Sequence, residues 1–168
     1  QESYHQISSY VQHGDMLNSV DIADLADHEQ RSINLFLIEE YVDALATSVA
    51  GLAGMVPGTP DNKGTPGGGI SVKLGERHLS DSSVAQTLAH EIGHFLGLEH
   101  TSKHHGDGEW TWREEDFLED TPVCDYELGV DGFDQDCPDE QNLMFGHGGG
   151  TEITPGQMRV IRSNPLVY

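Results

Sequence analysis

His90-Glu91-Ile92-Gly93-His94-Phe95-Leu96-Gly97-Leu98-Glu99-His100 is the stretch on which the reading of this chain turns. Its pattern is H-E-x-x-H-x-x-G-x-x-H. His90 and His94 lie four positions apart, which on a helix puts them on one face, one turn apart. Two imidazoles so placed can reach one metal ion, while Glu91 stands beside them to polarise water without ligating the metal. Gly97 can take the left-handed conformation that ends a helix. The chain can then turn back and offer His100 as a third ligand. Three neutral nitrogens with a fourth position open form the donor set of a catalytic zinc site; structural zinc sites are closed by four protein ligands.

The helix can be checked on a wheel. Val84, Ala85, Leu88, Ala89, Ile92, Phe95 and Leu96 cover one side, and Thr87, His90, Glu91 and His94 the other. The stretch is therefore amphipathic, and its polar stripe carries the ligands. Ser83 and Gln86 form an S-x-x-Q capping box, which predicts the helix start there. A surface helix with two solvated histidines is the plain alternative. Cap, amphipathicity and terminating glycine all agree with the metal site instead.

These eleven residues resemble the zinc motif of the metzincin metallopeptidases. That family has a downstream turn whose methionine forms a hydrophobic floor under the metal. Asn142-Leu143-Met144-Phe145-Gly146 offers such a turn, with Met144 as the candidate. Glu119-Asp120-Thr121-Pro122 and the two cysteines resemble the pappalysin branch. The resemblance implies an α+β fold: a metzincin-like catalytic domain with a twisted, mostly parallel sheet, an antiparallel edge strand over a zinc-bearing active-site helix, and an irregular lower half with a C-terminal helix. Some branches carry a tyrosine two residues after the turn methionine; here that position is Gly146.

The 168 residues suffice for one domain with a real core and not for two full ones. The expectation is a single catalytic domain over 1–168, with an upper half of about 1–97 and a lower half of about 98–168. The net charge of −21, from 29 acidic and 8 basic residues, argues against nucleic acid and anionic membranes as partners. It suits calcium binding, cationic substrates or high salt. No apolar run has the length of a membrane span. Cys124 and Cys137 are the two cysteines, at neither zinc-finger spacing nor in a regular element. A disulfide between them closes a short polar loop and suits an oxidising compartment, so the chain is expected to be secreted or extracytoplasmic. Two free thiols are the alternative.

Along the chain, a short helix is expected within 16–28. Ser32 to Ile38 reads as a buried strand, an apolar run after charged residues. Tyr41 to Ala50 stays open between helix and strand. Gly51 to Gly69, rich in Gly and Pro, reads as a loop, either a rim over the cleft or a surface excursion. Gly69 to Leu74 alternates apolar and polar, a half-buried strand; by resemblance it is the edge strand above the cleft. From Asp107 to Glu140 the chain is strongly acidic, with Arg113 as its one basic residue. There Asp131, Asp134 and Asp136 space their oxygens as a calcium loop does, though not in the EF-hand pattern. His104, His105 and His147 lack the helical register of the ligands and read as exposed, and His5, His13 and His28 read as solvated. Thr154-Pro155-Gly156-Gln157 is a capping box with Pro at the first helical position, predicting a helix over about 155–163 that stops before Pro165.

The function expected is that of a zinc-dependent endopeptidase, in which Glu91 serves as general base and then acid for a metal-activated water. Its partners are protein or peptide substrates in extended conformation, and the chain acts as a monomer. A zinc-binding module without peptidase activity and a metal-dependent hydrolase of non-peptide substrates are the alternatives.

Overall fold

The apolar run after Ser32 and Ile33 forms strand β1 (Asn34–Ile38). Gly51–Ala53 forms β2 and Gly69–Lys73 forms β3. Helix α1 spans Asp81–Phe95 and helix α2 spans Pro155–Ser163. The structure, a computed structural model, describes residues 32–38, 50–61, 68–74, 80–101, 116–122, 137–146 and 149–167. The expected helix within 16–28 and nearly all of Tyr41 to Ala50 lie outside these residues.

The described strands make one mixed sheet in the order β1-β3-β2. β1 runs parallel to β3 with Leu35 opposite Ile70 and Leu37 opposite Val72. β2 runs antiparallel to β3 with Gly51 opposite Val72 and Ala53 opposite Ile70. Parallel neighbours cannot be joined by a tight hairpin. The connection between β1 and β3 passes through β2, which pairs on the far side of β3. Together with the two helices this makes a small α+β architecture.

Three expectations about the strands need correction. β3 is not the edge strand; it lies between β1 and β2. Among the described strands the edge antiparallel to β3 is Gly51–Ala53, inside the stretch read as loop. Three residues of Gly, Leu and Ala give no alternation from which to infer a strand, and pairing with β3 supplies what local propensity does not. β1 is also not buried throughout, since Leu35 is 41 % exposed and Leu37 50 %.

The face of the sheet that carries Ile70 and Val72 is turned towards α1. Gly51, the partner of Val72, lies against the side chains of Thr87 and Glu91. Ile70, Val72, Phe95, Leu98 and Met144 are the buried apolar side chains that join sheet, helix and the chain beyond it. Burying each in full is worth about 1.5–3 kcal/mol, so this small set fixes where α1 sits.

The start of α1 also differs from expectation. Its cap is Ser80, whose hydroxyl accepts from the Ser83 N–H at 3.3 Å. The box at Ser83 and Gln86 does not form, because Ser83 already lies in the first turn. Gln86 reaches instead across the fold, its side-chain amide donating to the Gly150 carbonyl at 2.9 Å. The end is as expected: Gly97 has φ +106°, and its N–H donates to the His94 carbonyl at 2.9 Å.

Helix α2 keeps the predicted bounds and the predicted capping box. Thr154 accepts from the Gln157 N–H at 3.1 Å, and the Gln157 side chain accepts from the Thr154 N–H at 3.0 Å. At its other end the Asn164 side-chain amide donates to the Phe95 carbonyl at 3.5 Å. The two helices therefore meet end to end beside Gly97.

Candidate metal centre

The three histidines converge. The Nε2 of His100 lies 3.2 Å from that of His90 and 3.1 Å from that of His94. The Nδ1 atoms of His90 and His94 lie 2.7 Å from the carbonyl oxygens of Leu143 and Leu98. A carbonyl only accepts, so each of these Nδ1 atoms carries the hydrogen and each Nε2 presents its lone pair inward. Tetrahedral zinc at about 2.0–2.1 Å from each nitrogen sets ligand nitrogens about 3.3 Å apart. The spacing here is close to that, so the donor set fits the metal and these three residues could hold zinc. Carbonyls that fix the tautomer from behind are what metal-ligating histidines ordinarily have.

Burial prepares the nitrogens. His94 is buried, and its pKa falls from 6.5 to about 4, first through desolvation and then through the neighbouring charge of His90, against the opposing Leu98 carbonyl. His90 is also lowered by burial, against the Leu143 carbonyl. Both rings are thus neutral at ordinary pH and ready to ligate without losing a proton.

Glu91 is 6 % exposed. Burial raises its pKa from 4.5 to about 7, and the Ala53 N–H, donating to the carboxylate, opposes that rise. The carboxyl group, on the residue next to His90, is thus poised to exchange a proton near neutrality, and is held by strand β2 as well as by its own helix.

Met144 is fully buried and packs against helix α1 at Gly93, next to His94. A Cβ built on Gly93 would meet its sulfur at 2.5 Å, so the helix has no side chain where the turn approaches. The turn is also tied to the ligands by its backbone. The Leu143 carbonyl takes His90, and the Met144 carbonyl accepts from the Thr101 N–H at 3.2 Å, next to His100.

Sequence reasoning missed the groups that hold this turn. Asn142 and Gln157 are buried and exchange amide hydrogen bonds of 2.9 and 3.0 Å. The Asn142 side-chain oxygen also accepts from the Met144 N–H at 2.9 Å. One glutamine thus caps α2 and braces the methionine turn. Asp120 does similar work, its carboxylate accepting from the Gly156 N–H at 2.7 Å and the Thr154 hydroxyl at 3.1 Å. A carboxylate at a helix N-terminus meets unpaired N–H groups and the positive end of the dipole. An acid upstream of a capping box was the only available hint, and it does not show that the two meet.

Cys137 is buried against Phe145, and no cysteine among the described residues is free. Cys124, the calcium candidates Asp131, Asp134 and Asp136, and His5, His13, His28, His104, His105 and His147 lie outside the described residues. Among the described residues, no acidic cluster joins the three histidines as a second group able to hold a metal.

Against models of known families, residues 16–147 match that of the M43 peptidases, described as pregnancy-associated plasma protein-A. The chain belongs to the pappalysins. The match covers all of α1, the three histidines and the methionine turn, and ends before α2. Pappalysins are zinc metallopeptidases, which agrees with the donor set above. No curated protein and no solved structure matches the chain. Among the described residues, no helix is long and apolar enough to cross a membrane.

Proposed function

We propose that the chain is a zinc-dependent endopeptidase, with His90, His94 and His100 as ligands, Glu91 as general base and acid, and Met144 as the floor of the site. The observation that carries this is the convergence of three Nε2 atoms, with the buried Glu91 next to His90 in the chain. Zinc bound there supplies Lewis acidity towards water and towards a peptide carbonyl. The Glu91 carboxylate accepts a proton as the water oxygen bonds to the carbonyl carbon. It delivers that proton to the amine nitrogen as the C–N bond breaks.

The substrate is an extended peptide lying along β2. Among the described residues no strand pairs with the outer edge of β2. Apart from the Ala53 N–H, which Glu91 holds, the outward main-chain groups of that edge can take a peptide main chain in β-pairing, which selects for extended conformation rather than for particular side chains. The working form is one monomeric catalytic domain, secreted, with the Cys124–Cys137 bridge closing the acidic loop. The buried, non-free Cys137 supports the bridge. The calcium loop of Asp131, Asp134 and Asp136 completes the reading and rests on the spacing of its oxygens alone; a melting temperature indifferent to added calcium would remove it.

The test is casein hydrolysis by the zinc-loaded protein. Chelation is expected to abolish cleavage, and zinc to restore it. A protein that keeps one zinc per chain yet releases no peptides from casein or a digested proteome would leave the zinc-binding module as the better reading.

A further inference from the structure

The helix that carries Glu91 does not alone decide where its carboxyl group lies. A Cβ built on Gly51 would stand 2.6 Å from the Glu91 Cγ, 2.7 Å from its Oε1 and 2.8 Å from the Thr87 Cγ2. Real Cβ atoms do not approach so closely, so any side chain at position 51 must displace a neighbour. Thr87 is β-branched and stiff within a helix, whereas Glu91 has several torsions and yields first. Two positions on, the Ala53 N–H donates to the same carboxylate. Strand β2 therefore approaches the acid at two points, leaving room for it at Gly51 and anchoring it at Ala53.

We propose that Gly51 is a positioning residue for Glu91: its missing side chain creates the slot against strand β2 that the carboxyl group occupies. This rests on the reading of Glu91 as general base. Gly51 has no left-handed φ that would call for glycine, so close approach is the reason for it.

The zinc-loaded Gly51→Ala protein tests this. Its kcat is expected to fall roughly tenfold to a hundredfold, as a misplaced catalytic group does. KM should change less than about threefold, since the strand keeps its main chain. Zinc affinity, measured by competition with a chelating dye, should stay unchanged, because no ligand is touched. The loss of stability should shrink when Gly51→Ala is made in a Glu91→Ala background, because the displaced side chain is then gone. If Gly51→Ala does not fold, the double variant should. Unchanged kcat, a parallel loss of zinc, equal destabilisation in both backgrounds, or failure of both variants to fold would each overturn the proposal. Full turnover by Glu91→Gln would instead sink the role of the base itself, a separable result.

Discussion

At the scale of single residues, burial gives His94 and Glu91 opposite pH behaviour in the metal-free protein. The folded pKa of His94, about 4, lies below its unfolded 6.5. Its contribution to stability is complete above 6.5 and is lost as pH falls towards 4, roughly 3 kcal/mol in all. The folded pKa of Glu91, about 7, lies above 4.5. Its contribution is complete below 4.5 and is lost as pH rises through 7. Glu91→Gln should therefore make the metal-free protein more resistant to urea well above neutrality, and not at acid pH; a Gln variant weaker at alkaline pH would show that burial does not set this pKa. In the zinc-loaded protein the same substitution should cut kcat by about 10² to 10⁴ while zinc stays bound. Metal analysis beside a peptide assay checks both halves. The convergence of the three histidines and the helix end at Gly97 were legible in the sequence, because helical periodicity and a terminating glycine are local rules. The carbonyls of Leu143 and Leu98 were not, since a backbone acceptor leaves no mark on residue identity.

At the scale of elements, the helix ends carry the predictions. Gly97 has φ +106°, so Gly97→Ala should cost about 1–2 kcal/mol from the left-handed backbone and also loosen His100, which follows the turn. Thermal unfolding and zinc competition should both respond; a loss confined to stability would show that the turn does not place the third ligand. Gln157→Leu removes the brace between α2 and the methionine turn and leaves Asn142 buried with an unmet amide. A cost of about 1–3 kcal/mol follows, with weaker zinc binding through the Leu143 carbonyl. The T-x-x-Q box of α2 was readable because it is local and the helix starts where it predicts. The box expected at Ser83 failed because Ser80 lies one turn earlier and offers the same hydroxyl, and Gln86 was claimed by Gly150. Strand β2 was hidden for a related reason: three small or apolar residues become a strand only when β3 is alongside.

At the scale of the whole molecule, the charge of −21 sets a long-range field. Cationic peptides should be cleaved with higher kcat/KM than anionic ones of similar length, and the advantage should shrink as salt is added. A preference unmoved by salt would place selectivity in local pockets instead. Reducing the proposed Cys124–Cys137 bridge should cost about 3 kcal/mol, read as a fall in unfolding midpoint under reductant. What the sequence determined by itself was the helix that carries His90 and His94, the glycine that ends it, the return of His100 to those two and the C-terminal helix. Each follows from neighbours a few residues apart, where spacing and residue type fix the geometry. Only the tertiary structure decided which strand borders the site, that Gly51 and Ala53 confine the carboxyl group, that Asn142 and Gln157 hold the turn at Met144, and that Asp120 holds the start of α2. Those contacts join residues far apart in the chain, and whether they meet depends on how the sheet and the two helices pack.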